Sequence, residues 1–171
     1  MKGETARVSA SGTFALSNLI GTEEIGVVDA PRGWTVKSIL VGGRNVLDTP
    51  VDFKGTEDVR DAVVVLTDHA AELTGTIADA QRAPSIDASL VIFSADRLQL
   101  PRRAYWVRPD HVGRFVLEGL APGDYLIAIV DEVDDVLWQT REYLDRLRGH
   151  AVAVTLADGE KKTVDLKWNR E

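Results

Sequence analysis

Residues 113–131 read GRFVLEGLAPGDYLIAIVD, and this stretch decides the fold class. Phe115 and Leu117 alternate with polar neighbours, a Pro122-Gly123-Asp124 turn interrupts, and the apolar residues resume over 125–130. Short runs of period two bounded by turn residues are strand patterns, and two of them around one turn predict a β-hairpin rather than a helix. The pattern also stands about a hundred positions earlier, in residues 12–29 (GTFALSNLIGTEEIGVVD), where Phe14, Leu16, Leu19 and Ile25 fall opposite Phe115, Leu117, Leu120 and Leu126. The chain is therefore read as one β module present twice, at the size of a sandwich unit.

The totals agree with an ordinary soluble chain. Of the 171 residues, 44% are hydrophobic and 27% charged, and no apolar run is long enough for a membrane helix. A net charge of −7 gives neither a nucleic-acid backbone nor an anionic lipid surface any long-range attraction, so no nucleic-acid partner and no membrane insertion are expected. With no cysteine there is no disulfide framework, no Cys-based zinc site and no Cys nucleophile. The opening MKGETARVSA has one early Lys and no apolar core, so it does not read as a signal peptide.

Taken in order, residues 5–9 predict a short strand, residues 13–16 and 24–28 the first copy of the hairpin, and residues 34–41 another strand. Gly42-Gly43 supplies a tight turn before residues 44–47 return. After an irregular stretch from Asp48, residues 62–67 predict a buried strand, and the unit boundary falls near residue 70. The second unit, residues 71–171, predicts strands at 72–78, 87–93, 103–108, on both sides of the Pro122-Gly123 turn, at 152–156 and at 164–168, with a hairpin turn at 157–160. Those are seven strands. Residues 140–148 carry Tyr143, Leu144 and Leu147 at helical spacing behind Thr140, predicting one short surface helix. The fold class is all-β, tandem Ig-like or prealbumin-like antiparallel sandwiches, with residues 1–70 an incomplete unit lacking its two opening strands.

Three features together resemble the carboxypeptidase regulatory-like domain, a prealbumin-like sandwich related to the Cna-B repeats. They are a first strand Leu73-x-Gly75-x-Ile77, the centre Gly113-x-Phe115-x-Leu117-x-x-Leu120-x-Pro122-Gly123-x-Tyr125, and a last strand after Gly159-Glu160. The resemblance covers residues 71–168; the first copy has Gly21-Thr22 in place of Pro122-Gly123 and Glu24 in place of Tyr125. It implies a non-catalytic module of a longer exported bacterial protein, secreted, periplasmic or on the cell surface, serving as spacer, folding support or interaction domain.

The candidate sites follow from side-chain chemistry. Tyr105, Trp106 and Trp138 are the candidate ligand-binding residues, because exposed coplanar rings on a sandwich hold sugars, whereas the ordinary reading of such rings is as lids over a core. His69-Ala70-Ala71-Glu72 matches the spacing of two zinc ligands but lacks a third, so it is read as a linker and no metal site is expected. Asp131, Glu132, Asp134 and Asp135 supply hard oxygens without the glycine-punctuated spacing of a calcium loop, and read as a solvated loop. The chain has no nucleophile elbow, P-loop or dinucleotide fingerprint, so no catalytic residue and no cofactor are expected. A protein or glycan is the expected partner. The incomplete first unit, with Phe14, Leu16, Ile25, Val27, Ile39, Val63 and Val65 partly uncovered, is expected to dimerise, to pack on the second unit, or to be completed by residues upstream of Met1.

Overall fold

The computed structural model describes residues 4–56, 58–100 and 102–168. The earlier strands are β1 (Gly21–Glu23), β2 (Thr35–Val41), β3 (Arg44–Asn45), β4 (Val51–Phe53) and β5 (Val63–Thr67). The later ones are β6 (Ala71–Ala78), β7 (Ser89–Ser94), β8 (Ala104–Val107), β9 (Arg114–Leu120), β10 (Gly123–Val130), β11 (Val152–Leu156) and β12 (Lys161–Lys167), with a helix α1 (Arg141–Leu147) between β10 and β11. The chain is thus mostly β with one short α-helix. Strands β6–β12 form two facing sheets, ordered β12-β6-β9 and β11-β10-β7-β8. Before them stand a three-stranded sheet β3-β2-β5 and the pair β1-β4.

Between the two larger sheets lies the main core. Leu73, Leu90, Ile92, Phe115, Leu120, Tyr125, Ile127, Val154, Leu156 and Leu166 are buried there, with Leu117, Ile129, Val164 and Trp168 packed at its margin. Alternation places them. In β6 the residues Ala71, Leu73, Gly75 and Ile77 all point inward while their neighbours stay half-exposed, as a pleat of period two requires. Gly75 is the tightest position: a Cβ there would sit 1.9 Å from the Val164 carbonyl oxygen and 2.8 Å from the Phe115 ring. Phe115 is the cross-strand partner of Gly75 and covers the space its missing side chain leaves.

Three expectations change. The Pro122-Gly123 turn does not close a hairpin, because β9 and β10 lie in opposite sheets and the turn carries the chain from one to the other. The turn at 157–160 likewise separates β11 from β12. Alternation is the same in a hairpin and at a sandwich corner, so the pattern alone does not separate them. The sheets are also not wholly antiparallel, since β12 runs parallel to β6, from Lys161 opposite Glu72 to Lys167 opposite Ala78.

The helix is more than a surface appendage. All six residues of β7 are buried, because its outer face carries Val91 and Phe93 into a second core with Leu100, Ala104, Ala128, Val133 and Leu144. Leu144 of α1 has no exposed surface, and the Thr140 hydroxyl caps the helix by accepting the Tyr143 N–H. Residues 131–139 and α1 together make a third layer on the four-stranded sheet.

Residues 4–67 are built more loosely. The Gly42-Gly43 turn does form the expected hairpin, with both glycines at positive φ and Val41 opposite Arg44. Residues 5–9 and 13–16 belong to no strand, the strand expected at 24–28 is displaced to β1, and the irregular stretch after Asp48 contains β4, which pairs with β1. In β5 Val63 is 49% exposed, so this strand is not buried as expected. Among the described residues of this part, only Ile39, Val46 and Phe53 are buried hydrophobics.

Candidate functional site

A groove of about 580 Å³ opens between residues 14–20 and the sheets behind them, lined by Phe14, Leu16, Leu19, Ile25, Ile39 and Phe53. Ile39 and Phe53 form its floor from β2 and β4, and the half-buried Phe14 and Leu16 form its outer wall. Burial along this strip of wall alternates with period two, as in an extended chain. Ala15 and Ser17 alternate outward, Gly12 at φ +78° begins it and Asn18 at φ +59° ends it. A residue in the left-handed region breaks an extended run, so the strip is residues 13–17. At the rim Arg60 and Asp58 make a largely exposed ion pair at 2.6 Å, which contributes little energy.

The three expected aromatic residues are divided between different environments. Tyr105 and Trp106 are successive on β8 and point to opposite faces, Tyr105 toward the main core and Trp106 toward the outer one. Tyr105 lies 6.5 Å from the Tyr125 ring, and burial raises its hydroxyl pKa. Trp106 and Trp138 are 6.4 Å apart but tilted by 57°, and the Arg108 guanidinium stands 5.2 Å over Trp106. Tyr105, Trp106 and Trp138 therefore do not share a flat platform. The Trp106 indole N–H is buried and makes no hydrogen bond among the described residues.

At the junction of the two parts sit two consecutive arginines that pattern reasoning passed over. Arg103 pairs with Asp48 at 2.7 Å and donates from Nη1 to the Pro122 carbonyl. Burial works against the charged guanidinium, but the hydrogen bond and charge of Asp48 outweigh it and raise its pKa. Arg102 pairs with Glu24 at 3.0 Å and donates to the carbonyls of Ile25 and Leu47. Beside them the Tyr125 hydroxyl donates to the Ala121 carbonyl at 2.9 Å, and burial pushes its pKa well up. Tyr125 thus ties the corner between the two sheets to the backbone before the Pro122-Gly123 turn. The sequence signal for the clamp was two adjacent arginines before a strand, which without a partner position reads as solvated charge.

The remaining polar candidates are engaged locally. Glu72 is taken by Lys161 at 3.0 Å, and the His69 side chain is 80% exposed beside Asp68. Asp134 accepts the N–H groups of Val136 and Leu137, closing its own turn. Among the described residues no group of three His, Cys, Asp or Glu side chains is placed to hold a metal ion.

No family model matches the chain, and no curated protein does. Among solved structures, the TIE protein of Bacillus anthracis matches 70% of this chain at 13% identity and TM-score 0.42. The major pilin subunit of Bacillus cereus matches 64% at 17% identity and TM-score 0.41, and the pilus 2b backbone protein of group B streptococcus 85% at 14% identity and TM-score 0.41. The chain spans 20%, 31% and 52% of the lengths of these three.

Proposed function

We propose that this chain is a non-catalytic β-sandwich module of a longer exported bacterial protein, in which residues 71–171 supply a rigid support and residues 1–70 an incomplete unit that presents an interaction surface. The observation that carries this reading is the contrast in packing. β7 is buried on both faces, so the sandwich has no apolar surface left to offer there, while the apolar side chains of residues 14–20 line an open groove. Exposed apolar surface of that kind marks an interaction site. The resemblance to the carboxypeptidase regulatory-like domain supports the same role and an extracytoplasmic setting.

Carbohydrate binding through Tyr105, Trp106 and Trp138 is the weaker reading, because Tyr105 faces the main core while Trp106 and Trp138, tilted against each other, pack on the outer one. Calorimetric titration against a panel of glycans and extended peptides tests the choice. Saturable peptide binding weakened by Leu16→Lys is the expected result. Glycan binding lost on Trp106→Ala, with no peptide binding, overturns the reading.

A further inference from the structure

We infer that residues 13–17 are the pairing edge of a homodimer, in which this strip joins antiparallel to the same strip of a second copy, centred on Ala15. This names the partner for the groove and so rests on the interaction role proposed above. Residues 14–18 make no backbone hydrogen bond among the described residues, although Thr13 is tied to Ser9. The preceding residues hold the strip at its two ends, through Ser9 and Ser11 on Thr13 and through the Ser17 hydroxyl on Glu4. An extended strip with open N–H and C=O groups is a template for another strand.

The identity of the occupant follows from charge and symmetry. From Val8 to Thr22 the sequence carries no charged residue and no proline, in a chain of net charge −7. Strand edges that avoid pairing carry lysine, proline or inward charges, and this one carries none. An uncharged strip offers nothing to a basic or acidic partner, and it is the one part of the first unit where two equally charged copies approach with least repulsion. The strip is also bounded symmetrically, by Gly12 and Asn18, so pairing about Ala15 sets Thr13 opposite Ser17, Phe14 opposite Leu16, and Ala15 opposite itself. Each copy then lays a Phe and a Leu on the same face as the groove of the other. The contact is isologous and closes at two copies.

The chain has no cysteine, so single-cysteine variants of the full chain report the register directly. Ala15 is exposed, and Ala15→Cys brings the two introduced thiols opposite each other, whereas Ala10→Cys, in the preceding turn, does not. With a short bismaleimide, Ala15→Cys is expected to cross-link at least about tenfold faster than Ala10→Cys. Sedimentation equilibrium is expected to show reversible dimers for the unsubstituted chain and monomers for Ala15→Lys, with unchanged circular dichroism. Equal cross-linking rates, or a monomeric unsubstituted chain, overturn the inference. A monomer that binds a panel peptide in the groove overturns self-pairing and leaves the interaction role standing, whereas a monomer that binds none overturns both.

Discussion

Arg103 and Asp48 form an ion pair 2.7 Å long with only 12% and 13% of their side chains exposed, and this pair joins β8 of the sandwich to the loop before β4. A charge removed from water on both sides is stable only with its partner, so the pair fixes the relative position of the two parts more than it stabilises either. Asp48→Ala, which leaves the guanidinium alone, should cost about 3 kcal/mol in chemical denaturation. Replacing both together, Asp48→Leu with Arg103→Met, should recover most of that loss. A single Asp48→Ala variant as stable as the parent would show that solvent reaches Arg103.

Gly75 and Phe115 should respond in opposite manners to small changes. Gly75→Ala puts a Cβ 1.9 Å from the Val164 carbonyl and should separate β12 from β6, giving a chain that does not fold cooperatively. Phe115→Ala leaves a cavity over Gly75 and should cost about 3 to 5 kcal/mol while keeping the fold. Tolerance of alanine at 75 with full cooperativity would contradict the parallel pairing.

Tyr125→Phe removes the 2.9 Å bond to Ala121 and should cost about 1 kcal/mol. Because burial raises the pKa of Tyr105 and Tyr143 and pushes that of Tyr125 well up, ultraviolet titration should show Tyr125 ionising last, or only as the fold opens.

Acid should weaken the fold through particular turns. Backbone N–H groups of Arg114 and Val112 lower the pKa of Asp110, Arg97 and then Arg148 lower that of Asp145, and the Ala157 N–H lowers that of Glu160. A carboxylate with a depressed folded pKa contributes stability that is present above its unfolded value and is lost as pH falls through its folded value. Denaturation midpoints should therefore be level near neutrality and fall below the ordinary values of 3.8 for aspartate and 4.5 for glutamate. Asp145→Asn should flatten part of that fall.

Much of the sandwich was legible because alternation reports burial directly. Phe115, Leu120, Leu90, Ile92, Ile127, Val154, Leu156 and Leu166 stand at alternating apolar positions of the expected strands, and all are buried in the main core. Leu117, Ile129 and Val164, in the same alternation, pack at its edge. What alternation does not carry is the third layer. In β7 both faces are apolar, a pattern shared by any fully covered strand, so Val91 and Phe93 gave no hint that α1 and Leu144 lie over them. Sheet membership of β9 and β10 was illegible for the same reason, since it depends on where Gly123 sends the chain and not on residue polarity. The groove was not legible: residues 13–16 alternate as a strand should, but the strands expected beside them at 5–9 and 24–28 do not form there. The contacts of Arg102 with Leu47 and of Arg103 with Asp48 join residues more than fifty positions apart and have no local signature.

The contrast between a closed sandwich and an open first part is tested most directly by amide hydrogen exchange along the full chain, followed by mass spectrometry in dilute solution. Protection should be greatest in β6, β7 and β10, and residues 14–18, which lack backbone partners among the described residues, should exchange nearly as fast as an unfolded peptide. Protection of residues 14–18 equal to that of β7 in the monomer would contradict the account, because it would mean that this strip already has a strand beside it and that no groove stands open.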